Sequence, residues 1–380
     1  MSRIAYTGSP IFDGRSLHRD SALLSESGTC RGIVDAQAIP EGYETRELDG
    51  VIAPGFVDLQ VNGGGGVMFN DETTPEGLRA IAEAHASTGT LGLLPTLITD
   101  TPERTRAAIA ATRQAIDAGV PGILGLHLEG PHLSQARKGA HDPALIRPMD
   151  AADEELLLAA SGDLPNLMVT LAPESVSTAQ IARLAAAGVI VSIGHSDCSC
   201  DAARAAFEAG ACCVTHLFNA MSQLGSREPG LVGAALDTPA VSAGLIADDI
   251  HVHAATIRAA LAAKRGPGGI FLVTDAMSTV GSQITEFRLN GRRILRRDGR
   301  LTLEDGTLAG ADLDMPRAIT VLRRRVGLDL DAALAMASAL PAGILRHPDG
   351  YGSIEKDRPL RAIRLSAADD GEMRFERCLD

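Results

Sequence analysis

The chain has 380 residues, of which 45% are hydrophobic and 22% are charged, a composition typical of a folded globular protein. Its formal net charge of −13 argues against a nucleic-acid partner, because phosphate backbones bind basic surfaces. The sequence has no apolar run near the ~18 residues needed to cross a bilayer and no signal-peptide core, so we expect a cytoplasmic protein without a membrane partner.

The two ends of the chain predict a small β domain. In residues 1–53, short β-like segments such as IAYTGSPIFDG and TRELDGVIAPG are separated by Gly, Asp and Pro. Residues 351–380 again contain short strand-like runs, which most simply rejoin the N-terminal sheet. We therefore predict a small β-sandwich domain built from both termini, into which residues 54–350 are inserted.

The inserted residues predict a TIM-type (β/α)₈ barrel. Eight apolar runs alternate with Ala-rich segments of helical period, and several of these segments open with Thr-Pro-Glu or Ser-Thr caps. Such alternation favours a closed parallel barrel over an open sheet, and the Val, Ile and Leu content fits strands buried on both faces. The eight predicted strands are 55–63, 91–98, 122–129, 167–173, 189–196, 211–218, 241–248 and 270–277.

One segment departs from this alternation. Residues 283–309 alternate apolar and polar side chains around Asn-Gly and Asp-Gly pairs, which favour tight turns between antiparallel strands. We predict a β-hairpin excursion after the last barrel strand.

Four acidic or imidazole side chains end four of the predicted strands: Glu129, His195, His216 and Asp275. A histidine near one strand end is usually structural, but a parallel barrel gathers the carboxyl ends of its strands around one mouth. Two imidazoles and a carboxylate form a divalent-metal set that leaves a position open for water. Asp275 could then transfer the proton, so the sequence predicts a metal-dependent hydrolase.

Several motifs together resemble the N-acetylglucosamine-6-phosphate deacetylase family of the amidohydrolase superfamily. They are PGFVDLQVNGGGG, GLHLEGPHLSQARKGAH, SIGHSD, THLFNAMS, IADDIHVH, LVTDAM and DGTLAG, between about residues 50 and 345. The resemblance implies hydrolysis of the acetamide of N-acetyl-D-glucosamine 6-phosphate to D-glucosamine 6-phosphate and acetate, in amino-sugar catabolism. It also implies the barrel and the two-part β domain.

The resemblance implies a role for each matching position. Glu129, His195 and His216 match the metal ligands, Asp275 matches the catalytic acid/base, and His141 matches a catalytic contact near the acetyl carbonyl. The family's arginine acts across the interface of a homodimer, and Arg227 occupies its place. The positions that match the substrate-binding set are Gln60, Ala140, His141, Asn219, Ala220, Arg227, Asp248, His251, Leu308, Ala309 and Gly310.

The end of the first barrel strand departs from the wider superfamily. Many of its members carry a His-x-His pair there for a second metal, whereas this chain has Gln60-Val61-Asn62. A neutral amide is a poorer zinc ligand than an imidazole. We therefore expect one divalent metal per subunit, with Zn²⁺ preferred and Fe²⁺ also suited to the ligands.

Two alternatives stay open at the level of sequence. The enzyme could deacetylate the galactosamine epimer or a related acyl-amino-sugar phosphate, because loop geometry decides which hydroxyl configuration is bound. A catalytically inactive scaffold is the other alternative, but such a protein should lack a metal ligand or Asp275, and all of them are present.

Overall fold

A computed structural model describes residues 2–368 and 371–379 of the chain. The N-terminal segment consists of short strands joined by turns. Their bounds are β1 (Arg3–Thr7), β2 (Ile11–Phe12), β3 (Leu17–His18), β4 (Ser21–Glu26), β5 (Thr29–Asp35), β6 (Glu44–Glu47) and β7 (Val51–Pro54).

Strands and helices then alternate along the chain. In order they are β8 (Phe56–Val61), β9 (Gly63–Gly64), β10 (Val67–Met68), α1 (Pro75–Ala86), β11 (Thr90–Ile98), α2 (Pro102–Asp117), β12 (Leu126–Glu129), α3 (Ala151–Asp163), β13 (Leu167–Leu171), α4 (Thr178–Ala186), β14 (Ile190–Ile193), α5 (Cys200–Glu208), β15 (Cys213–Val214), α6 (Gly230–Asp237), β16 (Ser242–Leu245), α7 (Ala254–Ala263) and β17 (Ile270–Leu272). A 3₁₀ turn at Gln135–Arg137 follows β12.

The remaining elements include an antiparallel sheet, three helices and two C-terminal strands within the described residues. They are β18 (Glu286–Leu289), β19 (Arg292–Arg297), β20 (Arg300–Leu303), β21 (Leu308–Ala311), α8 (Met315–Val321), α9 (Leu330–Ala337), α10 (Ala339–Ala342), β22 (Ala362–Ala367) and β23 (Met373–Cys378). A π-helical turn at Leu322–Val326 extends α8.

The barrel is the predicted one. Its parallel strands follow the order β17-β16-β15-β14-β13-β12-β11-β8. A parallel bridge between Val61 and Ala276 joins the end of β8 to the segment that follows β17. Helices α1 and α2 begin at the predicted Thr-Pro-Glu signals. The Thr74 and Thr101 side chains accept hydrogen bonds from backbone N–H groups in the first turns of these helices.

Both termini contribute to the β-sandwich, as predicted. One sheet has the order β5-β4-β1-β6, and the other has the order β23-β22-β7-β2-β3. The C-terminal β22 pairs antiparallel with β7, so that Ile363 lies opposite Ala53. Buried residues including Ile4, Tyr6 and Leu23 form a core that is separate from the main barrel cluster. The domain boundaries at residues 53/54 and 350/351 stay a prediction.

The stretch predicted as a hairpin excursion forms a four-stranded antiparallel sheet, β18-β19-β20-β21, which we call the rim sheet. Its Asn290-Gly291 and Asp298-Gly299 turns have positive φ at both residues, as two-residue hairpin turns require. Within the described residues, no helix is both long and apolar enough to cross a membrane.

Candidate active site

Three predicted ligands meet at the carboxyl ends of the barrel strands. Glu129 is the last residue of β12, whereas His195 and His216 lie two residues beyond β14 and β15. Glu129 Oε1 is 3.2 Å from His195 Nε2 and 3.0 Å from His216 Nε2, and the two imidazole nitrogens are 3.1 Å apart. Donor atoms this close to one another can share one cation at the ~2.0–2.2 Å bond lengths usual for zinc.

The backbone turns sharply at both histidines. Their φ values are +46° at His195 and +26° at His216, a region that residues with a Cβ seldom occupy. We predicted the strand of His216 over 211–218, but β15 covers only Cys213–Val214, because the chain leaves the sheet to aim the imidazole inward. Positive φ at such positions is typical of functional sites.

Hydrogen bonding prepares the donor atoms for a metal. His195 Nδ1 lies 2.8 Å from the Arg137 carbonyl oxygen, which can only accept, so Nδ1 carries the hydrogen and the Nε2 lone pair is free for a cation. Burial would raise the pKa of Glu129, but hydrogen bonds with His195 and His216 hold that pKa well below its usual range. The residues therefore fit a divalent metal.

His141 belongs to the same cluster. One donor atom from each of Glu129, His141 and His195 lies within 4.8 Å of the others, and the His141 ring packs edge-on against His195 at 4.3 Å between centroids. His141 Nε2 is 3.7 Å from Glu129 Oε2, too long for a hydrogen bond. Burial and the neighbouring His195 lower the pKa of His141 to about 3, so this imidazole is neutral.

Asp275 follows β17 at a φ of +51° and is 9% exposed. Burial and the charge of Glu129 raise its pKa to about 6. Its backbone N–H donates to the Gln60 carbonyl at 3.0 Å, and its own carbonyl accepts from Ala311 at 2.9 Å. The backbone of Asp275 is thus held between the first barrel strand and the last strand of the rim sheet.

The amides at the place of the superfamily's His-x-His pair donate hydrogen bonds to two carboxylates of the site. Gln60 Nε2 donates to Glu129 Oε1 at 3.0 Å and to Asp275 Oδ1 at 3.2 Å, while Asn62 Nδ2 donates to Asp275 Oδ1 at 2.7 Å. The two amides therefore orient the carboxylates of Glu129 and Asp275, the predicted metal ligand and the predicted acid/base. Gln60 does not line the cavity above these groups, and its assignment as a substrate contact stays a prediction.

A cavity of about 430 Å³ opens above these groups. Its walls include eleven of the predicted site residues: Glu129, Ala140, His141, His195, His216, Asn219, Ala220, His251, Asp275, Leu308 and Gly310. Gly310 has a φ of +63°, and a Cβ there would lie 2.9 Å from the Asp275 carbonyl oxygen, so this contact with the rim sheet requires glycine.

Besides Gln60, three predicted substrate residues lie off the cavity wall. Arg227 is exposed in the loop between β15 and α6. Ala309 is fully buried in the core of the rim sheet. Asp248 is buried behind His251, with its carboxylate Oδ2 2.6 Å from His251 Nδ1. Their roles in substrate binding stay predictions.

Sequence reasoning missed several groups that support the site. Thr99, after β11, places its Oγ1 2.7 Å from His141 Nδ1. Asp58, inside the barrel, accepts from the Thr274 hydroxyl at 2.5 Å, and burial raises the pKa of Asp58 to about 7. An aspartate within the apolar run GFVDLQVNG was the available signal for Asp58. Thr99 carried none, because threonine is common in strands.

Comparisons with known proteins agree with this architecture. Residues 51–359 match the Amidohydrolase family. An N-acetylgalactosamine-6-phosphate deacetylase from Shewanella sp. (strain ANA-3) is 46% identical over 344 residues, which cover 90% of this chain and 86% of the relative. An N-acetylglucosamine-6-phosphate deacetylase from Haemophilus influenzae is 35% identical, covering 92% of this chain and 91% of the relative.

Solved structures give the same result. N-acetylglucosamine-6-phosphate deacetylase from Pasteurella multocida superposes with a TM-score of 0.91 at 31% identity, covering 98% of this chain and 100% of that one. The enzyme from Mycobacterium smegmatis superposes with a TM-score of 0.89 at 30% identity, covering 100% and 98%. From the family match and these identities, the chain belongs to the Amidohydrolase family.

Proposed function

We propose that the chain hydrolyses the acetamide of N-acetyl-D-glucosamine 6-phosphate to D-glucosamine 6-phosphate and acetate. The observation that carries this proposal is the meeting of Glu129, His195 and His216 beside Asp275 in one cavity. The Haemophilus influenzae and Pasteurella multocida proteins, which carry this activity in their names, support the substrate class. Amino-sugar catabolism and a cytoplasmic location stay predictions.

One divalent metal would be held by Glu129 Oε1 and by the Nε2 atoms of His195 and His216. When bound, the metal would supply Lewis-acid polarisation of the amide carbonyl and a water of lowered pKa. Zinc is our first choice because the donors are nitrogen and oxygen, and iron(II) suits the same set. Gln60 and Asn62 already donate to carboxylates, which supports a single metal per subunit.

The protein's own groups would move the proton. Asp275, with a pKa raised to about 6, is poised near neutral pH to accept the proton of the attacking water and then return it to the leaving amine. Neutral His141 would donate from Nε2 to the carbonyl oxygen, provided that the Thr99 hydroxyl donates to its Nδ1. Proton transfer and stabilisation of the carbonyl oxygen would thus each have a residue that can perform them.

The cavity wall would hold the sugar phosphate. Asn219, Ala220 and His251 form one side, and Leu308 and Gly310 of the rim sheet cover the other. Arg227 would complete the phosphate contact from the neighbouring subunit of a homodimer. Its exposure on a loop leaves it accessible to a neighbouring subunit.

The galactosamine epimer is a second candidate substrate. The Shewanella relative named for N-acetylgalactosamine 6-phosphate is 46% identical to this chain, against 35% for the Haemophilus influenzae relative named for the glucosamine epimer. The two sugars differ only in the configuration at C4. Recognition of that hydroxyl depends on the loops around the cavity, so both epimers belong in the first assay.

Acetate release tests the proposal. The purified protein, loaded with Zn²⁺ or Fe²⁺, is assayed with both N-acetylhexosamine 6-phosphates and with their unphosphorylated parents. We expect kcat/KM to be highest for a phosphorylated sugar. A higher value for the galacto epimer would replace the glucosamine proposal with the second candidate. The absence of acetate from every sugar with either metal would favour an inactive scaffold.

A further inference from the structure

The group that fixes the His195 ring lies in the loop after β12. His195 Nδ1–H donates to the Arg137 carbonyl oxygen at 2.8 Å, and the His195 carbonyl oxygen accepts from the Ser134 N–H at 2.9 Å. Between these two contacts, Gln135–Arg137 form a single 3₁₀ turn whose three residues are all at least partly exposed. The turn lies outside the barrel strands, so another contact has to hold it if it is to orient a proposed metal ligand.

An ion pair ties this turn to the segment that follows His195. Arg137 Nε and Nη2 lie 2.8 Å and 2.7 Å from the same carboxylate oxygen, Oδ1 of Asp197. Asp197 comes two residues after His195, so the contacts close a ring. The ring runs from the imidazole through the Arg137 carbonyl and guanidinium groups to Asp197, and back along the backbone to His195 at a φ of +46°.

Asp197 is itself held by the loop after the neighbouring strand. Glu174, three residues beyond β13, accepts from the Asp197 N–H at 2.6 Å through Oε1 and from the Ser196 hydroxyl at 2.7 Å through Oε2. Ser196 is fully buried, and its Oγ also accepts from the Cys198 N–H at 3.1 Å. The Asp197 carboxylate therefore extends toward Arg137 from a backbone position that is already fixed.

We propose that Asp197 is a positioning residue, which holds the Arg137 carbonyl oxygen in place and so fixes the His195 ring for the metal. This inference rests on the proposed function, because it takes His195 as a ligand, and it deepens that function by naming what prepares the ligand. An acceptor at Nδ1 keeps the hydrogen on that nitrogen and leaves the Nε2 lone pair for the cation. Without the ion pair the turn could move away, and metal binding would then have to order the imidazole again.

Asp197→Ala removes the ion pair and leaves the Arg137 carbonyl group in the chain. The measured quantity is the Kd for Zn²⁺, obtained without any sugar by titrating the metal-free protein in competition with a chromophoric chelator. We expect this Kd to rise by roughly threefold to fivefold, the upper range for an exposed ion pair. Asp197→Asn keeps an Oδ1 acceptor for both guanidinium N–H groups, so its Kd should stay closer to that of the wild type.

Asp237→Ala is the matched control. Asp237 pairs with Arg204 at 2.6 Å between α5 and α6, outside the cavity wall. The two side chains are 59% and 50% exposed, close to the 47% and 38% of Asp197 and Arg137. Both Ala variants should therefore lower the thermal unfolding midpoint of the metal-free protein by a similar small amount, whereas the control should keep the Kd of the wild type.

A double variant tests whether Asp197 acts through Arg137. Arg137→Ala keeps the backbone carbonyl and should raise the Kd for Zn²⁺ as Asp197→Ala does, and the combination should raise it little further. Fully additive increases, or an Asp197→Ala variant no weaker in Zn²⁺ binding than Asp237→Ala, would overturn the inference while leaving the proposed function intact. A wild-type protein that binds neither Zn²⁺ nor Fe²⁺ would overturn the proposed metal site, and this inference with it, before the variants are compared.

Discussion

The floor and the rim of the cavity are built differently. On the floor, Glu129 and Asp275 extend from barrel strand ends, are almost fully buried, and accept hydrogen bonds from Gln60. Arg227, the proposed phosphate contact, lies away from this cavity wall and is exposed on a loop. The rim sheet reaches the loop before His141 through a hydrogen bond from Arg292 to the Ala140 carbonyl oxygen.

This difference suits the floor to catalysis and the rim to recognition of the substrate. Floor groups are held by the barrel itself, so their geometry does not depend on the substrate, as preorganised catalysis requires. Rim groups lie on segments outside the barrel, where loops can vary without disturbing the strands. We therefore expect floor substitutions to act on kcat or on metal content, and rim substitutions to act on KM.

The largest expected effect is that of Asp275→Asn. The three metal ligands remain, so metal content should stay unchanged, while kcat should fall by about 10²- to 10⁴-fold through loss of proton transfer. Steady-state acetate release and elemental analysis of the same preparation measure both quantities. A variant that keeps more than about a tenth of wild-type kcat would contradict the acid/base role.

His216→Asn is the comparison for that variant. It removes a proposed ligand and leaves Asp275 in place, so metal content and activity should fall together. Full occupancy with full activity would contradict the ligand set. The two variants together distinguish a lost proton carrier from a lost metal, although both residues lie on the same floor.

Gln60→Leu tests how far the floor depends on its amides. Gln60 donates to both Glu129 and Asp275, and removal of a group that orients a metal ligand commonly lowers metal affinity or activity by about 10- to 100-fold. Asn62→Leu is the matched control, because Asn62 Nδ2 contacts Asp275 alone. We expect reduced metal affinity in the first variant and reduced kcat with normal affinity in the second.

Metal titration of the wild type belongs to the same experiment. The amides at the places of the His-x-His pair lead us to expect about one tightly held metal per chain. A stoichiometry near two that survives dialysis against a weak chelator would contradict the single-metal site. Equal metal affinity in Gln60→Leu and in the wild type would show that Gln60 does not orient Glu129.

Arg227→Ala tests the recognition of phosphate by a residue that lies outside the floor. Loss of a charge-assisted contact with phosphate should lower kcat/KM for the phosphorylated sugar by roughly tenfold to a hundredfold, mainly through KM. The ratio to the unphosphorylated sugar should fall by the same factor. Equal losses with both sugars would make Arg227 a structural residue.

Mixed dimers decide which subunit Arg227 serves. If the arginine acts across the interface, a dimer of one Arg227→Ala subunit and one Asp275→Asn subunit contains one site with both groups intact, so activity should return on mixing. If it acts within its own subunit, every site lacks one of the two groups. In that case mixing should restore nothing.

The sequence predicts the floor better than the rim for a physical reason. Each ligand follows an apolar run, and parallel strands necessarily bring such ends together, so Glu129 and His195 could be placed without coordinates. A hydrophobic pattern does not reveal where the backbone adopts a positive φ and leaves the sheet. The strand before His216 was therefore predicted too long. Pairings such as Thr99 with His141 depend on the register between strands and on loop paths, which no periodicity encodes.

The smallest expected effect is that of Arg292→Ala, which tests whether the rim sheet helps to order the floor. Arg292 donates to the Ala140 carbonyl oxygen, next to His141, so its loss should free the loop that carries this imidazole. One such hydrogen bond contributes about 1 kcal/mol, so we expect roughly a fivefold fall in kcat/KM. Arg293→Ala is the matched control, because Arg293 pairs with Glu286 within the rim sheet.

If Arg292→Ala changes kcat/KM no more than Arg293→Ala does, the rim sheet covers the substrate without ordering the His141 loop. If instead kcat falls while KM is unchanged, the contact serves the chemistry of the floor, and the division between floor and rim is less sharp at Ala140 than elsewhere.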